Sequence, residues 1–160
     1  DNESNILSHY ETTGPEIFSH TNGEIDILIA GLGTTGTLMG VSRYLNEKKP
    51  AVKIDAVEPI MGHKIQGLKN MHEAIVPSIY KTEYWDEKII IEDDAAYKTS
   101  QRLALEEGIF VGMSSGAAVA GALQIANNLK KGTIVVILPD RGDRYLSTTL
   151  FKPICSKCPP

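Results

Sequence analysis

The sequence predicts an α/β fold with three layers, in which helices cover both faces of a mainly parallel sheet. From Glu24 onward, short apolar runs alternate with segments of helical periodicity, which is typical of repeated strand-and-helix units. The run Thr133 to Leu138 (TIVVIL) is apolar on both faces, as a central strand is. A glycine-rich loop follows the first apolar run directly, and such loops connect a strand to a helix in this class of fold.

Four strands are predicted from the apolar runs. They are Ile25 to Ala30 (IDILIA), Val52 to Val57 (VKIDAV), Ile109 to Val111, and Thr133 to Leu138. Between about Pro59 and Lys88, prolines, glycines and mixed polarity indicate a long, partly irregular segment. Long loops in compact α/β domains are often functional, so this segment is a candidate contributor to a site.

Helices are predicted at four places. One begins at Thr13-Gly14-Pro15-Glu16, one runs from the glycine-rich loop to about Lys48, one is capped by Asp93 or Asp94 and runs to Leu105, and one begins at Ser115 or Gly116. Gly108 is expected to supply the left-handed residue after the third helix. The last helix is expected to bury four apolar residues, Val119, Leu123, Ala126 and Leu129.

The composition is that of one soluble globular domain, which we expect to comprise residues 1–151. The net charge is −4 and the basic residues are scattered along the chain, which argues against a nucleic-acid partner. No apolar run reaches the roughly 18 to 20 residues that a membrane-spanning helix needs. We therefore expect a cytoplasmic protein that binds neither nucleic acid nor membrane.

The two cysteines, Cys155 and Cys158, form a C-x-x-C motif among prolines near the C-terminus. A tetrahedral zinc site needs further ligands, and the four histidines, His9, His20, His63 and His72, show no spacing that supplies them. We predict no metal site, and a flexible tail over residues 152–160.

The glycine-rich loop has the sequence Gly31-Leu32-Gly33-Thr34-Thr35-Gly36-Thr37 and precedes an amphipathic helix. The first N–H groups of a helix have no partner inside the helix, and its positive dipole end attracts anions. The hydroxyls of Thr34, Thr35 and Thr37 add further donors. The loop therefore indicates a phosphate site, although a tight turn without a ligand would use the same glycines.

A dinucleotide site is an alternative interpretation of this loop. Gly31, Gly33 and Gly36 satisfy G-x-G-x-x-G, and Glu58 ends the next strand roughly 20 residues later, where a ribose-binding acid would lie. The three threonines favour a compact phosphate monoester, because a dinucleotide loop usually keeps such positions small. The loop alone leaves both interpretations open.

Four segments together resemble the fold-type II family of pyridoxal-phosphate (PLP) enzymes, and most closely its cysteine synthases (O-acetylserine sulfhydrylases). The family's phosphate loop has the form G-T-G-G-T, and it is matched by Gly33, Thr34, Thr35, Gly36 and Thr37, with Thr35 in place of a glycine. This G-T-T-G-T form, continued by LMGVSRYL, is similar to the B isozyme. The resemblance implies the tryptophan synthase β-like architecture and PLP as cofactor, with these five residues binding its phosphate.

The other three segments extend the resemblance over residues 1–151. HYETTGPEI leads into the domain, and EGIFVGMSSGAA contains Ser114, which by position would donate a hydrogen bond to the pyridine nitrogen of PLP. The third segment, PDRGDRYLST, begins at the end of a strand and would place Asp140 in the cofactor pocket. On local sequence alone, Ser114 is equally an N-cap residue of the following helix.

The resemblance also implies what the chain lacks. In the family, the lysine that binds PLP as a Schiff base and the loop that binds the substrate carboxylate lie upstream, and none of the twelve lysines here matches. We therefore assign no catalytic residue and expect roughly the second half of a longer, homodimeric enzyme. The implied reaction forms L-cysteine from O-acetylserine or O-phosphoserine and sulfide. Cystathionine β-synthase and serine or threonine dehydratase share the fold and stay open, as do an NAD-binding domain and a non-catalytic fragment.

A substrate-binding loop is predicted within the irregular segment. Gly62 to Leu68 (GHKIQGL) is similar to a family loop that closes over the departing group of the substrate, so Gln66 and Gly67 are assigned to substrate binding. Lys69 follows this loop, and a cation there would favour O-phosphoserine as the donor. The alternative is a solvated surface lysine, which is the usual place for this residue type.

Overall fold

The computed structural model describes residues 2–151. They form three layers, one sheet between two layers of helices, which confirms the predicted α/β class. The strands are β1 (Ile27–Gly31), β2 (Lys53–Pro59), β3 (Glu87–Ile91) and β4 (Ile134–Val136). The α-helices are α1 (Glu3–Ser8), α2 (Gly14–His20), α3 (Gly36–Lys48), α4 (Asp93–Glu106) and α5 (Met113–Ala126). A π-helical turn (His9–Thr13) joins α1 to α2, and 3-10 turns occupy Thr82–Tyr84 and Gly142–Tyr145. The predicted tail, residues 152–160 with Cys155 and Cys158, lies outside the described residues.

The sheet is parallel throughout, with the strand order β3-β2-β1-β4. Ile27 of β1 lies opposite Lys53 of β2 on one side and Ile134 of β4 on the other. The chain adds β2 and β3 on one side of β1 and then returns to place β4 on the other side. In open α/β sheets, ligands bind at the carboxyl ends of the strands where the order reverses, here between β1 and β4.

Two apolar cores lie on opposite faces of the sheet. Leu28 and Ile54 pack toward α1, α2 and α3, whereas Ile29 and Val57 pack toward α4 and α5. All four side chains are fully buried, so alternate residues of β1 and β2 enter opposite cores, as a sheet covered on both faces requires. No helix within residues 2–151 combines the length and the apolar content that spanning a membrane would need.

One of the four predicted strands is wrong, and the run Thr133 to Leu138, predicted as a central strand, instead forms β4 at the edge of the described sheet, where its residues are only partly buried. Residues Ile109 to Val111 form no strand, because Val111 makes only an isolated antiparallel bridge to Arg141 before α5 begins. The fourth strand is β3, at the end of the segment predicted to be irregular. β3 lies at the edge of the sheet, and its Ile90 is 48 % exposed between two buried isoleucines. Three isoleucines in a row thus concealed the alternation of an edge strand.

The predicted buried face of the last helix is also wrong. The four residues predicted to be buried are partly or largely exposed in the structure; they are Val119, Leu123, Ala126 and Leu129. α5 begins at Met113, two residues earlier than predicted, and buries small residues such as Ala117 and Gly121. A side-chain carbon on Gly121 would lie 2.9 Å from Val57 Cγ2, so the helix lies too close to the sheet for large residues on this face.

Helical structure at the N-terminus begins earlier than predicted, at Glu3. The Gly14 N–H donates to the His9 carbonyl across the wide π-helical turn. Pro15 follows, and a proline within a helix has no N–H to donate and crowds the carbonyl four residues before it. The wider turn accommodates this ring, and π-helical turns frequently lie at functional sites.

The remaining helices agree with the prediction as α2, α3 and α4. The left-handed Gly108 is confirmed, with a φ of +68°. Neither predicted aspartate caps α4, because the N-cap residue is Glu92. The Asp93 carboxylate accepts instead from the Lys64 N–H, with distances of 3.1 and 2.9 Å to its two oxygens.

Candidate functional site

The glycine-rich loop faces a cavity of about 170 Å³ at the carboxyl ends of β1 and β4. The cavity is lined by Gly33, Thr34, Thr35 and Thr37 of the loop, by Gly67 and Leu68, and by Ile137 and Pro139 after β4. α3 begins at Gly36, so its N-terminal N–H groups and the positive end of its dipole lie at this cavity. The cavity therefore has the position and the donors that an anion requires.

Thr35 contributes an unpaired hydroxyl to the wall of the cavity. The residue is 2 % exposed, and its Oγ1 has no hydrogen-bond partner among the described residues. Its φ of +70° is a left-handed conformation that glycine adopts easily and a β-branched residue does not. A buried hydroxyl without a partner costs about 1–3 kcal/mol, and a ligand that accepts a hydrogen bond would relieve this cost.

Close contacts explain the glycines on either side of Thr35. A side-chain carbon on Gly33 would lie 2.6 Å from the Gly67 carbonyl oxygen. A side-chain carbon on Gly36 would overlap the Asn5 side chain, and Gly36 is not among the residues that line the cavity. The structure thus brings Gly33 to the cavity, whereas Gly36 serves the contact between α3 and the N-terminal helix.

Two side chains of the N-terminal helical segment hold the threonines of the loop. Asn5 Nδ2 donates to Thr34 Oγ1 at 3.3 Å, and His9 Nε2 lies 3.1 Å from Thr37 Oγ1. The other ring nitrogen of His9, Nδ1, lies 2.9 Å from Thr13 Oγ1. Burial lowers the pKa of His9, which favours the neutral ring. The sequence did not identify these two residues, although His9 begins the HYETTGPEI segment of the family resemblance.

Ser114 lies in the first turn of α5, beside the predicted substrate loop. It is 2 % exposed, and its Oγ is 3.2 Å from the position of a side-chain carbon on Gly67. Gly67 also lines the cavity, so Ser114 and the glycine-rich loop both lie next to the same residue. The N-cap residue of α5 is Gly112, so Ser114 does not occupy the N-cap position that local sequence offered as an alternative.

Asp140 lies at the N-terminal end of α5 and is not among the residues that line the cavity. One carboxylate oxygen, Oδ2, accepts from the Ser114 N–H at 3.1 Å and from the Tyr145 hydroxyl at 2.8 Å. The other, Oδ1, accepts from the Ser115 N–H at 2.9 Å and from the Ser115 hydroxyl. Burial, together with the hydrogen bond from the Tyr145 hydroxyl to Asp140, raises the pKa of Tyr145 to about 12, so this hydroxyl keeps its proton.

Of the three residues predicted to bind substrate, Gly67 lines the first cavity, and Gln66 and Lys69 do not. Gln66 is exposed. Lys69 is also exposed and is anchored by its backbone, because its N–H donates to the Leu32 carbonyl at 2.7 Å. Thr34, Lys69, Ile75 and Pro77 line a second cavity of about 200 Å³, which shares Thr34 with the first. Lys69 is therefore next to the glycine-rich loop and open to solvent.

Glu58 does not have the environment of a ribose-binding acid. Its side chain is fully buried, and its carboxylate lies 2.6 Å from Lys88 Nζ. The same carboxylate accepts from the Met71 N–H, also at 2.6 Å. Both contacts tie Glu58 into the protein interior, so the G-x-G-x-x-G spacing lacks the acidic partner that a dinucleotide site needs.

The chain matches one protein-family model, described as pyridoxal-phosphate dependent enzyme, over residues 1–140. It is 44 % identical over 152 residues to cysteine synthase B of Pseudomonas aeruginosa, which covers 95 % of this chain and 51 % of that protein. The chain thus spans about half the length of the curated relatives it matches.

Two solved structures share the fold. O-ureido-L-serine synthase superimposes with a TM-score of 0.89 and 41 % identity, covering 96 % of this chain and 52 % of that one. Cysteine synthase of Entamoeba histolytica superimposes with a TM-score of 0.88 and 41 % identity, covering 94 % and 47 % of the two chains. The predicted fold-type II architecture is confirmed by these similarities.

Proposed function

Because this chain belongs to the pyridoxal-phosphate dependent enzyme family, we propose that it forms the cofactor-binding half of a cysteine synthase. The complete enzyme would be a cytoplasmic homodimer that makes L-cysteine from an O-activated serine and sulfide. The observation that supports this most directly is the unpaired Thr35 hydroxyl beside the start of α3. The Thr35 hydroxyl is a buried hydrogen-bond donor at a cavity with several other donors, and a phosphate would supply the acceptor.

The residues around the cavity fit a phosphate group attached to an aromatic ring. The N–H groups at the start of α3 and the hydroxyls of Thr34, Thr35 and Thr37 would hold the phosphate. Ser114, beside Gly67, would donate a hydrogen bond from its hydroxyl to the pyridine nitrogen. When bound, PLP supplies an electron sink for the α-carbon of the amino acid. A serine hydroxyl leaves the ring nitrogen unprotonated, which suits β-elimination.

The residues of this chain would bind and orient, and we assign none of them to proton transfer from substrate. None of the twelve lysines occupies a position that matches the family's cofactor-binding lysine. Asn5 and His9 would support the phosphate loop from behind by holding Thr34 and Thr37. The chemistry at the α-carbon would then depend on residues contributed by the rest of the enzyme.

A binding experiment on this chain tests the cofactor site. Pyridoxine 5′-phosphate is the probe, because it has an alcohol in place of the aldehyde and cannot react with surface lysines. We expect saturable binding, and binding at least about tenfold weaker for pyridoxine, which lacks the charged acceptor that the loop would hold. Equal affinity for the two probes, or no binding of either, would contradict the proposed site.

Lys69 supports O-phosphoserine as the preferred donor. Its side chain shares a cavity with Thr34, so a phosphate leaving from the substrate could meet a cation beside the cofactor loop. The acetyl ester of O-acetylserine is uncharged in the bound substrate, so Lys69 would stabilise it less. Lys69 would thus determine the donor preference. Gln66 and Gly67 would form the loop that closes over the substrate.

The donor assignment is tested in the full-length enzyme by sulfide-dependent cysteine formation. We expect Lys69→Ala to lower kcat/KM for O-phosphoserine about tenfold or more and to change that for O-acetylserine much less. Lys98→Ala is the matched control, because Lys98 is an exposed lysine of α4 paired with Asp94. Equal losses with both donors would refute the role of Lys69. Keto-acid release without sulfide would instead favour a dehydratase.

A further inference from the structure

We infer that Asp140 is a positioning residue whose carboxylate, held by Tyr145, fixes the first turn of α5 and thereby the place of the Ser114 hydroxyl. This differs from the direct contact with cofactor expected from the sequence. The inference rests on the proposed function in one respect, namely that Ser114 faces the cofactor ring.

The hydrogen-bonding capacity of the Asp140 carboxylate is taken up within the protein. Each oxygen accepts one backbone N–H and one hydroxyl, and the donors are the first residues of α5 and Tyr145. N–H groups in the first turn of a helix have no partner inside the helix, so a carboxylate there is stabilising. Asp140 thus serves α5 in the way an N-cap residue does, but from a segment 25 and 26 residues away in sequence.

The backbone around Ser114 is shaped to fit this carboxylate. A side-chain carbon on Gly112 would overlap both the Asp140 carboxylate and the Tyr145 ring. The two segments are also joined by their backbones, because Gly112 N–H donates to the Asp140 carbonyl and Gly142 N–H donates to the Phe110 carbonyl, each at 3.1 Å. The start of α5 is therefore joined to the segment after β4 by backbone hydrogen bonds as well as by the Asp140 carboxylate.

Ser114 lies between the Asp140 carboxylate and the cavity. Its N–H contacts Asp140 and its hydroxyl lies beside Gly67, so one residue connects the carboxylate to the wall of the cavity. Hydrogen bonds weaken steeply once distance or angle departs from the optimum. Loss of the Asp140 contact should therefore impair binding of the ring, which depends on Ser114, and spare the phosphate, which depends on the loop at residues 33–37.

The first test needs no ligand. Amide hydrogen exchange of Ser114 and Ser115 is followed by NMR in this chain, in Asp140→Asn and in Tyr145→Phe, which keeps the ring and removes only the hydroxyl. We expect exchange at least about tenfold faster in both variants, since each loses support for this turn. Asp143→Asn is the control, because Asp143 pairs with Arg141 and not with α5. Exchange as slow as in the unmodified chain would overturn the inference.

The second test separates positioning from general structural support. Pyridoxine 5′-phosphate should bind about tenfold more weakly to Asp140→Asn, and inorganic phosphate should bind within about twofold of the unmodified chain. In a Ser114→Ala background, Asp140→Asn should cause no further loss beyond about twofold. Additive losses, or equal losses for both ligands, would overturn the inference. If the unmodified chain bound neither ligand, the proposed function would fail, while hydrogen exchange would still decide whether Asp140 positions α5.

Discussion

The carbonyl oxygen of Gly67 lies 2.6 Å from the position that a side-chain carbon on Gly33 would occupy. The glycine-rich loop and the segment Gly62 to Leu68 therefore approach each other through their backbones. Gly67 has a φ of +91°, which L-residues with side chains rarely adopt. The cavity between β1 and β4 depends on this contact, because both glycines line it.

Gly33→Ala is expected to disrupt both stability and binding. The added methyl group must displace the Gly67 backbone, and such overpacking costs about 1–3 kcal/mol in unfolding free energy. Binding of pyridoxine 5′-phosphate should be lost at accessible concentrations, because both residues line the cavity. Chemical denaturation and fluorescence titration measure the two effects.

Gly62→Ala separates backbone strain from obstruction of the cavity. Gly62 has a φ of +70°, but apart from its two chain neighbours no described residue has an atom within 4 Å of the place where its side-chain carbon would be. We expect a stability loss of about 1 kcal/mol from strain and unchanged binding of pyridoxine 5′-phosphate. Equal effects of the two alanine substitutions on binding would show that the Gly33 contact is unimportant.

Thr35→Val should weaken ligand binding without lowering stability. The substitution removes a hydroxyl that has no partner within residues 2–151 and retains the shape of the side chain, so no hydrogen bond is lost in the free protein. Binding of pyridoxine 5′-phosphate should weaken about tenfold or more, since a hydrogen bond to a charged group contributes about 1.5–3 kcal/mol. Thr35→Ser is the control and should bind normally. A large drop in melting temperature with unchanged affinity would mean that the hydroxyl serves the fold.

The parts of the fold that were predictable from sequence have local signals. The run IDILIA, the glycine spacing after it and the periodicity up to Lys48 indicate β1, the loop and α3 without reference to other segments. The buried face of α5 was not predictable in this way. It depends on how closely the helix approaches the sheet, and the contact between Gly121 and Val57 that sets this distance is tertiary.

The residues of the candidate site also divide into those with a local sequence signal and those whose environment depends on tertiary contacts. Residues 33–37 of the loop were identified from spacing and family resemblance, and four of these five residues, all but Gly36, line one cavity. The environment of Asp140 was not predictable, because its partners on α5 are 25 and 26 residues away. Likewise, spacing alone could not show that Glu58 is held by Lys88 in the interior.

His9→Gln should alter how stability depends on pH. Burial lowers the pKa of His9 in the folded protein below its usual value of 6.5, so the unfolded chain binds this proton more readily. Folded-state stability should therefore decrease as the pH falls through 6.5 toward the lowered value. Urea denaturation from pH 7.5 to 5 should show part of this decrease absent in His9→Gln. His20→Gln, at the exposed end of α2, is the control and should follow the unmodified chain.

Asp55→Asn should stabilise the protein at neutral pH. Asp55 is fully buried in β2, and neither of its oxygens accepts a hydrogen bond from any residue that the structure describes. Lys53 Nζ is 3.5 Å from Oδ2 but only 2.9 Å from Glu87 Oε2, so Lys53 compensates the buried charge incompletely. Burial raises the pKa of Asp55 above its usual 3.8, and the approach of Lys53 opposes this only in part.

The sign of the pH dependence follows from that shift. Below pH 3.8 the carboxyl group is protonated in both states, so the charge penalty is absent. As the pH rises through 3.8 toward the raised folded-state pKa, only the unfolded chain ionises freely, and folding loses stability. The advantage of Asp55→Asn in unfolding free energy should grow over this window and level off above it, at on the order of 1 kcal/mol. Asp94→Asn, at an exposed aspartate of α4 that pairs with Lys98, is the control and should give no such gain. A loss of stability in Asp55→Asn at pH 7 would show that the carboxylate has a compensating partner.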